Sequence, residues 1–118
     1  MADLLARAAV FAAPARYEPF GLGVLEAARS GCALVLADIA TFRELWDGAA
    51  HFVAPDDARE WARALEELAQ QPARRAALAA AARLRAEDYG LDRMVDNYCR
   101  VYAAARMMRP RQAKGAVA

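Results

Sequence analysis

The sequence contains little of what most metal, redox and nucleic-acid sites are built from. Its only histidine is His51, its only lysine is Lys114, and its two cysteines, Cys32 and Cys99, have no metal-binding or redox spacing. We expect both thiols to be reduced and partly buried. The net charge of +1 provides no basic excess for a nucleic acid. These absences predict no metal ion, no cofactor and no nucleic-acid partner.

Long apolar segments are also missing from the sequence. No apolar run approaches the roughly 18 residues of a membrane span. The first residues, Met1 to Arg7, indicate an amphipathic helix that contains an acid, which differs from a signal peptide. We therefore expect a cytoplasmic protein. The basic end from Arg106 to Lys114 leaves contact with an anionic membrane as a less favoured alternative.

Three short apolar runs predict strands. The runs at 9–13 and 33–37 stop at Pro14 and Asp38, and a weaker run follows at 51–54. Continuous apolar runs of this length are typical of strands that are covered on both faces, as in parallel sheets. Because helical segments alternate with these runs, the sequence predicts an α/β fold. We expect a partial Rossmann-like parallel sheet of about three strands in chain order, with helices on both faces.

Helical periodicity occupies the rest of the chain up to residue 108. A helix is predicted from Leu22 to Ser30, and another from Thr41 to Trp46 with Thr41 as N-cap and Glu44 completing a capping box. From Asp57, an expected N-cap, a helical tail of three helices follows. Their predicted apolar stripes contain Trp61, Leu65 and Leu68, then Leu78 and Leu84, and then Met94, Val95, Tyr98, Val101 and Tyr102. Residues 109–118 have no periodic pattern, which predicts a disordered tail.

The segment Glu18-Pro19-Phe20-Gly21-Leu22-Gly23-Val24-Leu25-Glu26 lies between the first strand and the next helix. Ligands of open α/β sheets bind at this carboxyl end of the strands. Glycines at a helix start expose backbone N–H groups, which favour anionic or hydroxyl-rich ligands. Glu18 precedes the helix and Glu26 lies nearly two turns inside it, so the two carboxylates are suited to separate vicinal diols. A nucleotide sugar has two such diols, although a glycine needed only for a tight turn is an alternative interpretation.

The stretch from Pro14 to Glu26 resembles the E-x7-E motif of family 4 type glycosyltransferases. These are retaining, nucleotide-sugar-dependent enzymes with two Rossmann-like domains. The resemblance continues through 26–38 and through short matches as far as Pro55, and it covers about Leu5 to Tyr102. It implies that residues 1–108 are the C-terminal half of a nucleotide-sugar-binding domain.

The resemblance also implies roles for individual residues. Glu18 would hold hydroxyls of the donor sugar and is the catalytic candidate, and Glu26 would hold the ribose hydroxyls. The amides of Phe20, Gly21 and Leu22 would contact the sugar and the distal phosphate. No metal is implied, and the donor is a UDP- or GDP-type sugar nucleotide.

Some parts of these glycosyltransferases have no counterpart in the sequence. These parts are the acceptor domain and the first half of the donor domain, which contains the Arg/Lys pair that neutralises the diphosphate. We therefore expect a truncated, inactive unit. A non-catalytic interaction module is a second possibility, and an unrelated signalling-type domain with Asp38 as phospho-acceptor is a third. Glu44 is equally well a ligand group or a capping acid.

The remaining notable side chains are interpreted as structural. His51, Trp46 and Trp61 are expected to pack, as are Tyr98 and Tyr102, and the arginines from 74 to 85 are expected to form a solvated face.

The strand at Ala9–Ala13 would pair on its far side with a strand that this chain lacks. Because no Pro or Lys lies within it, we expect a homodimer through this edge.

Overall fold

The predicted sheet is present, with three parallel strands in chain order. The computed structural model describes residues 7–18 and 21–107, with only the backbone at 91–94, 97, 98 and 107. Strand β1 (Val10–Ala13) pairs with β2 (Ala33–Ala37), and β2 pairs with β3 (His51–Val53). All five residues of β2 are buried. Since alternate residues face opposite sides of a sheet, both faces of β2 are covered.

Five helices accompany the strands in the described part of the chain. Helices α1 (Leu22–Arg29) and α2 (Ala40–Trp46) connect consecutive strands, and α3 (Ala58–Gln70), α4 (Pro72–Asp88) and α5 (Leu91–Met107) follow β3. Helix α4 packs against β2 and α1, and α3 packs against β3 and α4. The helical tail is therefore confirmed, and its first two helices complete the core. The largest fully buried side chains are Trp46, Phe42, Leu25, Leu34, Leu36 and Leu68.

The predicted start of α2 was wrong. Ile39, in an extended conformation, occupies the N-cap position, and no side chain caps the helix. Thr41 therefore lies in the first turn and forms no capping box with Glu44. The helix buries Phe42 and Trp46, four residues apart on one face, and this burial orients it without a polar cap. The predicted N-cap of α3, Asp57, is confirmed, because the Asp57 carboxylate accepts a hydrogen bond from the Glu60 amide at 3.0 Å.

Two leucines of the predicted stripes are not in the core. Leu65 is 38% exposed and Leu84 is 67% exposed. The buried faces instead use small side chains, Ala64 in α3 and Ala82 with Ala86 in α4. Alanine permits close approach of α4 to β2 and α1, so the alanine-rich sequence determines which face is buried.

The apolar stripe of α5 was predicted incorrectly where the structure describes it. Val95, Val101 and Tyr102 are exposed, whereas the side chains of Met94 and Tyr98 lie outside the described residues. The expectation of partly buried thiols also fails. Cys32 is fully buried and burial raises the pKa of its thiol, while Cys99 is exposed; neither forms a disulfide. Among the described residues, no helix is long and apolar enough to cross a membrane.

Both tryptophans pack as predicted, but the arginines of α4 form more than a solvated face. Trp46 and Trp61 are buried. Arg85 donates to the carbonyl oxygens of Leu45 at 2.9 Å and Asp47 at 2.8 Å, at the C-terminal end of α2. The last carbonyls of a helix lack partners within it. Arg85 therefore fastens α4 to the end of α2.

Candidate functional site

A backbone turn and a carboxylate define the junction between β1 and α1. Gly21 is the N-cap residue of α1 and has left-handed backbone angles, φ 64° and ψ 34°. Its amide donates to Glu18 Oε1 at 3.1 Å. An anionic oxygen thus already lies at the positive end of the helix, where the dipole stabilises it. Glu18 is half-buried at this position.

Glu18 lines a small cavity at the carboxyl end of β1. The cavity measures about 90 Å³, and its polar rim includes Glu18 and the backbone of Gly21 and Gly23. The aromatic rings of Phe11 and Phe42 contribute to its apolar wall. Among the described residues that line it, none is an arginine or a lysine. The described part of its lining therefore provides a hydrogen-bond acceptor and backbone groups, without a side-chain cation.

Glu26 lies on a different face of the helix start. With Leu22, Leu25 and Arg29, it lines a cavity of about 360 Å³. The two glutamates predicted as site residues therefore line separate cavities on either side of the first two turns of α1. Leu22 is 40% exposed there, so its side chain is accessible to a ligand. Phe20 lies outside the described residues.

Arg29 is a cationic group that the sequence analysis did not consider. It is the last residue of α1 and lies three positions after Glu26. It also lines a second cavity of about 250 Å³ with Arg83, Ala86 and Glu87. Its position three residues after a site glutamate on a helix was the signal that could have identified it, because such residues share a helix face.

An arginine between two aspartates occupies the carboxyl end of β2. Arg43 donates to both carboxylate oxygens of Asp38, from Nε at 2.7 Å and from Nη2 at 3.1 Å, and to Asp47 Oδ1 at 3.1 Å. Its guanidinium lies 4.1 Å from the centre of the Phe52 ring. The hydrogen bond from Arg43 lowers the pKa of Asp38, and that same pairing raises the pKa of Arg43.

This pairing gives Asp38 a structural role that its place in the sequence did not reveal. Both oxygens of Asp38 accept hydrogen bonds from Arg43, and the side chain stays 45% exposed. Glu44, next to Arg43, is exposed, and because no capping box forms, the interpretation of Glu44 as a capping acid loses support.

His51 begins β3, and its Nδ1 lies 3.2 Å from Arg74 Nη2. Within the described ranges, no group of His, Cys, Asp and Glu side chains could hold a metal ion.

Comparison of the sequence with known proteins identifies relatives of the chain. Residues 1–71, which include β1 to α3, match the sequence model of the family described as glycosyl transferases group 1. The chain is also 36% identical over 115 residues to a D-inositol 3-phosphate glycosyltransferase from Kineococcus radiotolerans (strain ATCC BAA-149 / DSM 14245 / SRS30216). That match covers 89% of this chain and 26% of the relative. The chain thus spans about a quarter of the length of this relative.

Proposed function

The chain belongs to the glycosyl transferases group 1 family, and on that premise we propose that it forms part of the nucleotide-sugar donor site of a retaining glycosyltransferase. One observation carries this proposal. Glu18 and Glu26, the two ends of an E-x7-E pattern, line separate cavities at the start of α1, the helix that follows the parallel strand β1. This edge of an α/β sheet is where ligands bind.

The helix start would hold the middle of the donor. The backbone amides of Phe20, Gly21 and Leu22 would contact the sugar and the distal phosphate, since a helix N-terminus favours anions. Glu26 would accept hydrogen bonds from the two ribose hydroxyls. A carboxylate with two oxygens suits a vicinal diol.

Glu18 would exchange one partner for another when the donor binds. In the structure, its carboxylate accepts from the Gly21 amide. A phosphate oxygen that takes this amide would displace Glu18, which would then accept from hydroxyls of the donor sugar. We propose the catalytic role for Glu18, because it would lie closest to the sugar in this arrangement.

The affinity of the isolated chain should be low. No arginine or lysine is found among the described residues that line the cavity of Glu18, and a diphosphate without a cation loses its charge-assisted hydrogen bonds. We therefore expect dissociation constants in the millimolar range, about −4 kcal/mol. Sugar transfer is not expected from this chain alone, because it spans about a quarter of the relative's length.

Protein-observed NMR titration with UDP-glucose and GDP-mannose tests the donor site. We expect chemical shift changes concentrated at residues 18–29. Glu26→Gln should weaken binding severalfold, whereas Glu66→Gln, an exposed position on α3, should not. The absence of shifts at 18–29, or equal binding by both variants, would contradict the proposal. A micromolar constant in calorimetry would contradict the expected low affinity.

We also propose that two copies of the chain associate through β1. Among the described residues, β1 pairs on one side only, with β2. A strand with a free edge presents unpaired N–H and C=O groups to another strand. A two-fold dimer in which two β1 strands pair antiparallel would extend both sheets into one.

A further inference from the structure

A further cavity lies at the amino edge of the sheet, where α1 ends. Helix α1 begins after the carboxyl end of β1 and ends just before the start of β2, so its last residue, Arg29, lies at the edge opposite the helix start. Residues of α1 and α4 line this cavity of about 250 Å³ together; they are Arg29, Arg83, Ala86 and Glu87. Its volume is below the range typical of pockets for drug-sized ligands, so it suits a small molecule.

The guanidinium of Arg29 is not needed to complete the end of its own helix. The last carbonyls of α1 already accept from the backbone amides of Ser30, Gly31 and Cys32, at 3.0 to 3.2 Å. Arg29 reaches instead to the end of α4, where its Nη2 donates to the Tyr89 carbonyl oxygen at 3.3 Å. A guanidinium has five N–H donors, so this bond holds the group in place and leaves donors for a ligand.

The charged side chains of this cavity do not neutralise one another. Arg83 and Glu87 are four positions apart on α4, a spacing at which opposite charges often pair. Within the part of the chain that the structure describes, however, neither they nor Arg29 form an ion pair. All three side chains are exposed. Two guanidiniums that line one small cavity repel each other, and an anion between them would remove this repulsion.

We propose that this cavity binds a phosphate group between Arg29 and Arg83, at a site that does not depend on the proposed donor site. The planar fork of an arginine matches pairs of oxygens in carboxylates and phosphates. A carboxylate has two oxygens, and one guanidinium in bidentate contact occupies both. A phosphate retains further oxygens for the second guanidinium, so it is the anion that suits two arginines on adjacent helices. The small side chain of Ala86 leaves the space between them open.

Protein-observed NMR titration of the 118-residue chain with sodium phosphate tests the site, at neutral pH and constant ionic strength, with sodium chloride as the reference salt. We expect shifts at 29 and 83–90, with a dissociation constant in the millimolar range. Arg83→Gln should weaken phosphate binding about fivefold, because charge-assisted hydrogen bonds are lost. Since no hydrogen bond of Arg83 is found among the described residues, this variant leaves the contacts of the fold intact.

Two further variants separate phosphate recognition from a general effect of charge. Glu87→Gln removes the carboxylate that opposes an anion in the cavity, and it should strengthen phosphate binding about twofold. Arg59→Gln removes a positive charge from an exposed position of α3, outside the cavity, and should leave the dissociation constant unchanged. Weaker binding in Glu87→Gln, or a loss in Arg59→Gln equal to that in Arg83→Gln, would overturn the proposal.

Glucose 6-phosphate and glucose distinguish the two sources of the phosphate group. Binding of glucose 6-phosphate at least as tight as that of the free ion would assign the site to a phosphate ester, and weaker binding would assign it to the ion. Glucose alone should cause no shifts. If phosphate shifts 83–90 no more than chloride does, the site does not exist. The donor site is read from nucleotide-sugar shifts within 18–26, so either proposal can fail without the other.

Discussion

Single residues at the junction of β1 and α1 combine a structural and a proposed ligand role. Glu18 accepts a hydrogen bond from the Gly21 amide, so the same carboxylate stabilises the start of α1 and is the candidate for contact with the sugar. A substitution that removes both oxygens would change helix stability and ligand binding together. Glu18→Gln keeps one acceptor oxygen and removes the charge, and it therefore separates the two roles better than Glu18→Ala.

Gly21→Ala should destabilise the fold by roughly 1–2 kcal/mol, the cost of a left-handed backbone conformation for a residue with a Cβ. Space is not the reason, because the added Cβ would lie 3.5 Å from the Phe42 ring, an ordinary contact. Gly23→Ala is the matched control. Gly23 is helical, and its added Cβ would lie 3.8 Å from Phe11, so alanine should stabilise by about 0.5–1 kcal/mol. Urea unfolding measures both, and equal stabilities of the two variants would contradict this account.

At the scale of secondary-structure elements, contacts from α4 hold the ends of other helices. Arg85 bonds the last carbonyls of α2, and Arg75 donates to the Leu68 carbonyl at 3.0 Å near the end of α3. Carbonyls at a helix C-terminus carry partial negative charge, which favours a cation there. Helix α4 therefore connects α2 and α3 through charged hydrogen bonds as well as through its alanine face.

Arg85→Met should lower the free energy of unfolding by about 1–2 kcal/mol, because two carbonyls of the α2 terminus lose a charged, partly buried donor. Methionine retains much of the apolar stem. Arg83→Met, on the exposed face of the same helix, should change stability by less than about 0.5 kcal/mol. Chemical denaturation followed by circular dichroism compares the pair. A loss of stability in Arg83→Met as large as in Arg85→Met would rule out a specific role for the α2 contact.

On the scale of the whole molecule, the open edge of β1 determines the proposed assembly. Val10, Phe11 and Ala13 are partly buried and pack against the core, whereas Ala12 is exposed. The face of β1 at Ala12 is therefore uncovered, and a small residue lies there. A change at Phe11 would disturb both the fold and the edge, and Ala12 is the better position for a test.

Ala12→Lys should convert the proposed dimer to a monomer, because a charged side chain on an edge strand opposes pairing with another strand. Analytical ultracentrifugation at high micromolar concentration measures the change. Ala62→Lys, at an exposed position of α3, adds the same charge away from the edge and should leave the dimer intact. A wild-type chain that sediments as a monomer at this concentration would exclude the assembly.

Local patterns in the sequence determined the sheet, the bounds of α1 and the cap of α3 at Asp57. Apolar runs, turn residues and caps act over a few positions, so the chain encodes them directly. The E-x7-E spacing of Glu18 and Glu26 is likewise visible in the sequence, because it depends only on their separation.

Only the tertiary structure decided which partners meet across long separations. Arg85 contacts the carbonyl of Leu45, forty positions away, and Arg29 contacts that of Tyr89, sixty positions away. The exposure of Leu84 also follows from how the elements pack. Local periodicity cannot predict these contacts, because the position of each helix depends on the faces that its neighbours leave uncovered.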